Sequence, residues 1–397
     1  MYIREYVKDV VKSIAESYGF EPIECPSIEF TKLFIEKSGQ GILEEIYYFK
    51  DKSGRDICLV PEVTPQIARV IVSNKDLSLP IRFYYFAKLW RYEEPQKNRY
   101  RELYQFGFEL VGTSSILAEM ELLSIIKDTM DKLGLEYKIE VNDRRIFDEL
   151  LANVDNKKEI LRVIDKRRKL GQKEFEELLA NVCPKNVIVK LKDLLRILDY
   201  DLEKALNELS NIVESKEIID YWRIFAKIAK YYGLYDKIKF STDIVRGLDY
   251  YTSMVFEVYS PLTNVAIAGG GRYDNLISIY SDKSMPAVGF AFGFDRLVNT
   301  FLEVNKAEDF YKKIDYYIYY FNDKCLEKAI EITKILRKKG FKVVLELDRI
   351  SIRRALEKMA NKAKYMIIIG DKELEKGIVK LKDLEKKEEK EVSMEDL

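Results

Sequence analysis

Seven side chains in this sequence have the types and setting to do chemistry together: Arg91, Arg99, Arg246 and Arg296, with Glu62, Gln105 and Glu109. A guanidinium fork matches the oxygens of a phosphate, so arginines that converge suit a polyphosphate substrate. Carboxylates beside them suit an ammonium or an N–H donor. Such a set orients two substrates and stabilises developing charge without a covalent enzyme intermediate. The 397 residues include no histidine, which excludes His-based triads, imidazole bases and His-ligated metals. The chain has no GxxxxGK phosphate loop and no nucleophile elbow. Cys25, Cys58, Cys183 and Cys325 are scattered and form no CxxC, so neither a disulfide framework nor a zinc ribbon is signalled.

The elements that must position these residues can be read from periodicity. Ile3, Val7, Val10, Val11, Ile14 and Tyr18 recur at helical spacing, with Gly19 as a C-cap. Ile46 to Phe49 and Ile57 to Val60 flank a turn-rich DKSGR and read as a hairpin. Pro65 suits the first turn of a helix that carries Gln66, Ala68 and Val70. Arg82 to Arg91 and Tyr104 to Val111 read as strands joined by a charged loop. On the second strand Gln105, Gly107 and Glu109 share one face and Phe106, Phe108 and Leu110 the other. A solvated face and a pocket floor are both consistent with that pattern, and the glycine between two hydrogen-bonding groups favours the floor. Ala118 to Leu133 reads as a helix.

Helical periodicity then dominates from about Arg144 to Leu234, as an insertion would. Its cluster Lys166-Arg167-Arg168-Lys169 is equally a solvated helix face or an RNA contact. Strand character resumes at Lys237, and Pro286 to Arg296 reads as a strand-to-helix junction. After a linker from Phe301 to Lys313, strands and helices alternate as in a small separate α/β domain, and the charge run Glu385 to Glu391 reads as a frayed, solvated end.

Lys+Arg and Asp+Glu are both 67, so the formal net charge is zero and nucleic acid would have to be met by local basic patches. A hydrophobic content of 47% supports real cores, and no apolar run is long enough to span a membrane. No signal-peptide pattern opens the chain, so a reducing cytoplasm is expected.

The stretch Ile244 to Asp274 organises the rest. It contains RGLDYY (Arg246 to Tyr251), running into strand-like MVFEV (Met254 to Val258), and GGGRYD (Gly269 to Asp274). Taken singly, each block is also a tight glycine turn with packed tyrosines. Together they resemble the signature pair of histidyl-tRNA synthetases, a class II family, and the resemblance covers nearly the whole chain. Pro26 falls at the motif 1 proline, Arg91 to Glu102 with its RYRE is similar to motif 2, and Pro286 to Arg296 to motif 3. Asn142-Asp143-Arg144-Arg145 resembles the archaeal branch. The family usually carries a short segment before the first helix, absent here, and an Arg where this chain has Val60.

The resemblance implies an α+β fold: a class II catalytic domain, its antiparallel sheet flanked by helices, with a helical insertion and a C-terminal α/β anticodon-binding domain. The expected boundaries are 1–145 and 236–305 for the two parts of the catalytic domain, 146–235 for the insertion and 314–397 for the anticodon-binding domain. Implied substrates are L-histidine, ATP with Mg2+, and tRNA(His), in a cytoplasmic homodimer with no membrane contact. By the resemblance, Arg91 and Arg246 are catalytic. Arg91 binds the α-phosphate and the amino-acid carboxylate, Glu93 and Arg99 hold the ATP end, and Arg296 takes the γ-phosphate. Glu62 and Thr64, with Gln105, hold the α-ammonium, Val63 belongs to the histidine-binding set, and Glu109 and Tyr251 bond the two imidazole nitrogens beside Tyr250. No protein metal ligand is implied. A synthetase-like regulatory subunit of ATP-phosphoribosyltransferase, or a non-catalytic histidine- or tRNA-binding paralogue, is the alternative.

Overall fold

The computed structural model describes the chain apart from residues 75, 93–99, 246–249, 307–309, 311–312, 349 and 397. Two compact units are present, one over residues 3–306 and one over 307–397.

The first unit is built on an eight-stranded sheet. In chain order its elements are α1 (Tyr2–Ser17), β1 (Glu21–Pro22), β2 (Ile28–Phe30), α2 (Thr31–Ser38), β3 (Tyr48–Lys50), β4 (Asp56–Leu59), α3 (Thr64–Ser73), β5 (Ile81–Trp90), β6 (Glu102–Val111), α4 (Ile116–Lys132) and β7 (Lys138–Asp143). Six helices follow: α5 (Arg144–Leu150), α6 (Lys157–Asp165), α7 (Gln172–Val182), α8 (Lys185–Leu194), α9 (Leu202–Ile212) and α10 (Lys216–Tyr231). Then come β8 (Ile238–Phe240), β9 (Met254–Tyr259), β10 (Ala268–Arg272), β11 (Ala287–Gly293) and α11 (Phe294–Val304). The sheet order is β1-β5-β6-β11-β10-β9-β7-β8, antiparallel except at the parallel outer pairs β1–β5 and β7–β8. β2, β4 and β3 form a separate small sheet.

The period of two on β6 decides how the large sheet is used. Phe106 and Phe108 point to one face and meet Phe290 and Phe292 of β11 and Phe20, which follows α1, as a buried aromatic layer. The other face is nearly bare of bulk. The register sets Glu109 beside Gly289 and Gly289 beside Gly271, and sets Gly107 beside Ala291 and Ala291 beside Gly269. GGGR therefore runs along a central strand, not around a turn. A Cβ on Gly270 would collide with the neighbouring β11 backbone, and one on Gly271 would lie 2.5 Å from the Met254 carbonyl oxygen.

The helices between β7 and β8 are fastened to the sheet by buried polar contacts. Trp222 Nε1 donates to Asp143 Oδ2 at 2.9 Å, and Tyr221 donates to Glu119. Arg272 of β10 makes a two-pronged pair with the fully buried Glu119 at 2.6 and 2.7 Å. In the basic cluster, Arg168 is bound to Asp243 and Glu140, and Arg167 donates to the Leu195 carbonyl with its guanidinium over Phe175. These two arginines are therefore partnered within the fold, whereas Lys166 is exposed.

The second unit is a five-stranded sheet of order β13-β12-β14-β15-β16, with β12 (Ile314–Tyr320), β13 (Val343–Leu345), β14 (Ala363–Ile369), β15 (Ile378–Asp383) and β16 (Glu389–Ser393). Ile318, Ile367 and Ile369 pack on one side with Ala329 and Ile332 of α12 (Asp323–Lys338). Tyr317, Tyr319, Met366 and Ile368 pack on the other with Ala355 and Met359 of α13 (Ile352–Met359). Two expectations need correction. The charge run is exposed as expected, but its last residues, Glu389 to Glu391, are not frayed: they belong to β16, which pairs antiparallel with β15, where Lys380 and Lys382 face Glu389. The linker begins later than Phe301, because α11 continues to Val304 and buries Phe301; linker residues 307–309, 311 and 312 lie outside the described residues.

Candidate active site

Above the bare face of the sheet lies a cavity of about 310 Å³, lined among the described residues by Glu62, Thr64, Tyr85, Arg91, Gln105, Glu109, Tyr250, Tyr251 and Tyr273, with Gly269, Gly289 and Ala291 in its floor. A second cavity of about 190 Å³ shares Arg91, Gln105, Glu257, Gly269 and Ala291 with the first and adds Tyr104 and Arg296. The two are contiguous. One is walled by carboxylates and phenols, and the other carries two arginines, Arg91 and Arg296.

Each wall follows from local sequence. Thr64 opens α3, and Pro65 in its first turn costs no hydrogen bond. Thr64 Oγ1 there donates to Glu109 Oε1 at 2.7 Å. Arg91 follows the last residue of β5 and is held by its Nε–H on the Pro61 carbonyl at 3.0 Å. Arg296, in the first turn of α11, donates to the Ala266 carbonyl at 3.0 Å. Tyr250 and Tyr251 stack with ring centroids 4.3 Å apart, and Tyr273 lies 5.4 Å from Tyr250. Arg144 Nη1 fixes the Tyr251 carbonyl at 2.9 Å.

Glu109 is the electrostatic centre of the first cavity. Burial pushes its carboxyl up to about 8; Glu62 adds to the rise, while the Thr64 bond and Lys37 oppose it. Its Oε2 has no partner among the described residues, nor has the Tyr273 hydroxyl, and both sit where a Cβ on Gly289 would be. A buried polar atom left unpaired is costly, so the two are suited to bind a polar group. Burial raises the phenols of Tyr85, Tyr250 and Tyr251 well above their ordinary range, so all three stay protonated donors.

Of the residues singled out from sequence, Glu62, Thr64, Arg91, Gln105, Glu109, Tyr250 and Tyr251 line the first cavity, and Arg91 and Arg296 the second. Val63 does not line it; its side chain is packed in the core with Phe34, Val60 and Ile67. Glu93, Arg99 and Arg246 lie outside the described residues. Sequence reasoning gave no role to Tyr85, Tyr273 or Glu257. Gly107 and Gly289 are the signal that could have found the first two, since a Cβ at either would strike one of those phenols.

An antiparallel sheet with two contiguous polar cavities on one face, followed by a separate α/β unit, is the architecture of a class II aminoacyl-tRNA synthetase. The fold is similar to a histidyl-tRNA synthetase from a Nostoc species (TM-score 0.82, 22% identity, 99% of this chain and 94% of that one). It is also similar to an ATP phosphoribosyltransferase regulatory subunit/histidyl-tRNA synthetase from Bacillus halodurans (TM-score 0.79, 22% identity, 93% and 94%). Residues 2–297 match the family model of histidyl-tRNA synthetase, and residues 315–397 that of the anticodon binding domain. The histidine–tRNA ligase of Pyrobaculum islandicum is 41% identical over 396 residues, covering 98% of this chain and 92% of the relative. That of Pyrococcus furiosus is 36% identical over 410 residues, covering 100% and 94%. The chain belongs to the histidyl-tRNA synthetase family.

Proposed function

We propose that the chain is a histidine–tRNA ligase that activates L-histidine with ATP in the two contiguous cavities and passes the histidyl group to the 3′ end of tRNA(His). The observation that carries this reading is the buried Glu109, half-bonded to Thr64 and otherwise unpartnered, opposite the phenols of Tyr250 and Tyr251. A neutral imidazole has one N–H and one bare nitrogen, so it needs an acceptor and a donor, and Glu109 and Tyr251 offer one of each. A side chain without those groups would leave them buried and unpaired, which rejects it.

Glu62, Thr64 and Gln105 take the α-ammonium. Arg91, which lines both cavities, holds the histidine carboxylate against the α-phosphate of ATP, and Arg296 holds the γ-phosphate. The carboxylate oxygen attacks the α-phosphorus and pyrophosphate leaves; Arg246 stabilises the charge on the α-phosphoryl group. A ribose hydroxyl of the terminal adenosine of tRNA then attacks the acyl carbon and AMP leaves. Mg2+ would accompany the ATP phosphates, with Glu257 the carboxylate lining both cavities.

The assembly is a homodimer. Ile28, Phe30, Tyr48 and Phe49 of the small sheet are apolar and exposed, a patch that a second copy would cover. The cytoplasm fits four free cysteines and the absence, among the described residues, of any helix long and apolar enough to cross a membrane. The regulatory-subunit reading is not favoured, because the histidine–tRNA ligase relatives match over nearly the whole chain.

Charging of bulk archaeal tRNA with labelled histidine tests the proposal. Transfer should require ATP and vanish when the tRNA 3′ end is oxidised with periodate. Charging with another amino acid, or none with histidine, would overturn it.

A further inference from the structure

Glu62 already meets a cation of the protein's own. Lys37, in the last turn of α2, places Nζ 2.5 Å from Glu62 Oε2 and 4.1 Å from the centroid of the Tyr250 ring. Its side chain is only 5% exposed. Glu62 and Tyr250 both line the first cavity, whereas Lys37 does not; it stands behind the two wall residues and touches both. An ammonium taken out of water needs a charge or dipole to replace its hydration, and here a carboxylate and a ring face supply it. Glu62 Oε1 has no protein partner among the described residues. Glu109 shares the same cavity, so two carboxyl groups occupy one small, poorly hydrated space. Like charges so placed oppose each other's ionisation unless a cation balances them.

We propose that Lys37 is a positioning residue for amine recognition: it holds the Glu62 carboxylate by Oε2, leaves Oε1 for the α-ammonium of the amino acid, and balances the Glu62 charge beside Glu109. The proposal rests on the first cavity being the amino-acid site. Lys37 acts through Glu62 and touches no substrate. It fixes the Tyr250 ring from the same position, so one side chain sets the amine end and one wall of the imidazole slot together. The pairing spans 25 residues of sequence, from the last turn of one helix to the residue two before the start of the next.

Calorimetric binding to wild type, K37M, E62Q and the double variant tests this, with L-histidine and with imidazolepropionate, the same molecule without its amine. K37M should weaken histidine about tenfold, since a buried carboxylate loses its partner, and should leave imidazolepropionate within about twofold. In the E62Q background K37M should change histidine binding less than about twofold, because the group through which Lys37 acts is gone. Equal losses for both ligands in K37M would show a merely structural side chain and overturn the proposal, as would full additivity of the two substitutions. K37Q replaces K37M throughout if circular dichroism shows K37M unfolded. Wild-type protein that binds neither ligand would refute the amino-acid site itself, a result separable from failure of the Lys37 assignment.

Discussion

Glu109→Gln isolates the feature on which the site's electrostatics turn. In the folded protein burial holds the Glu109 proton to about pH 8, against an ordinary carboxyl value of 4.5. The folded chain keeps a proton that the unfolded chain has released, so stability falls as pH rises through that window and levels off above about 8. Each pH unit inside the window is worth about 1.4 kcal/mol, so between pH 6 and pH 9 this group alone removes roughly 2–3 kcal/mol. Gln keeps the shape and an oxygen to accept the Thr64 hydroxyl, but it does not titrate. Denaturant unfolding of both proteins at pH 6, 7, 8 and 9 should therefore show the variant gaining on wild type by that amount, with most of the gain below pH 8. Parallel pH dependences would refute the claim that Glu109 carries its proton to neutral pH. Above pH 8, where Glu109 is ionised, the same substitution should weaken histidine by about 2 kcal/mol, the scale of a lost hydrogen bond to a charged group.

Three further perturbations read the account from other sides. Gly289→Ala should abolish histidine binding and also lower stability, because the added methyl takes the space into which Glu109 Oε2 and the Tyr273 hydroxyl project and lies 2.7 Å from the Phe108 carbonyl oxygen; calorimetry on the folded variant that found histidine affinity unchanged would remove that space from the site. Arg296→Ala should raise the KM for ATP on the order of tenfold with the KM for histidine nearly unchanged, in steady-state exchange kinetics. Arg272→Met strips the partner from the fully buried Glu119 and should destabilise by roughly 3–5 kcal/mol, read as a shifted denaturation midpoint.

The residues that line the cavities were largely visible in the sequence because strand periodicity places them. Gln105, Gly107 and Glu109 had to share a face once Phe106 and Phe108 were assigned to the core, and Gln105 and Glu109 line the first cavity beside β11. The triple glycine announced a close approach, but whether a turn or a flat strand required it was fixed only by the β9–β10–β11 register. Local pattern failed where pairing is distant or short. β1 has two residues and exists only through its parallel pairing to β5. β16 reads as a charge run because the partners of its Glu389 are Lys380 and Lys382, on the neighbouring strand rather than nearby along the chain. Arg167 and Arg168 looked like a surface patch because their partners, at Leu195, Glu140 and Asp243, are brought near only by folding. Lys37 is the same case inside the site. No spacing rule links it to Glu62, and only the packing of α2 against α3 and the small sheet brings it behind that wall.

ATP–pyrophosphate exchange, measured with each of the twenty amino acids in turn, probes the two cavities acting as one site. The account predicts exchange with L-histidine alone, absent with imidazolepropionate and severely reduced by Glu109→Gln and by Arg91→Ala. Exchange supported by a different amino acid, or none with histidine from a folded and ATP-binding protein, would contradict it.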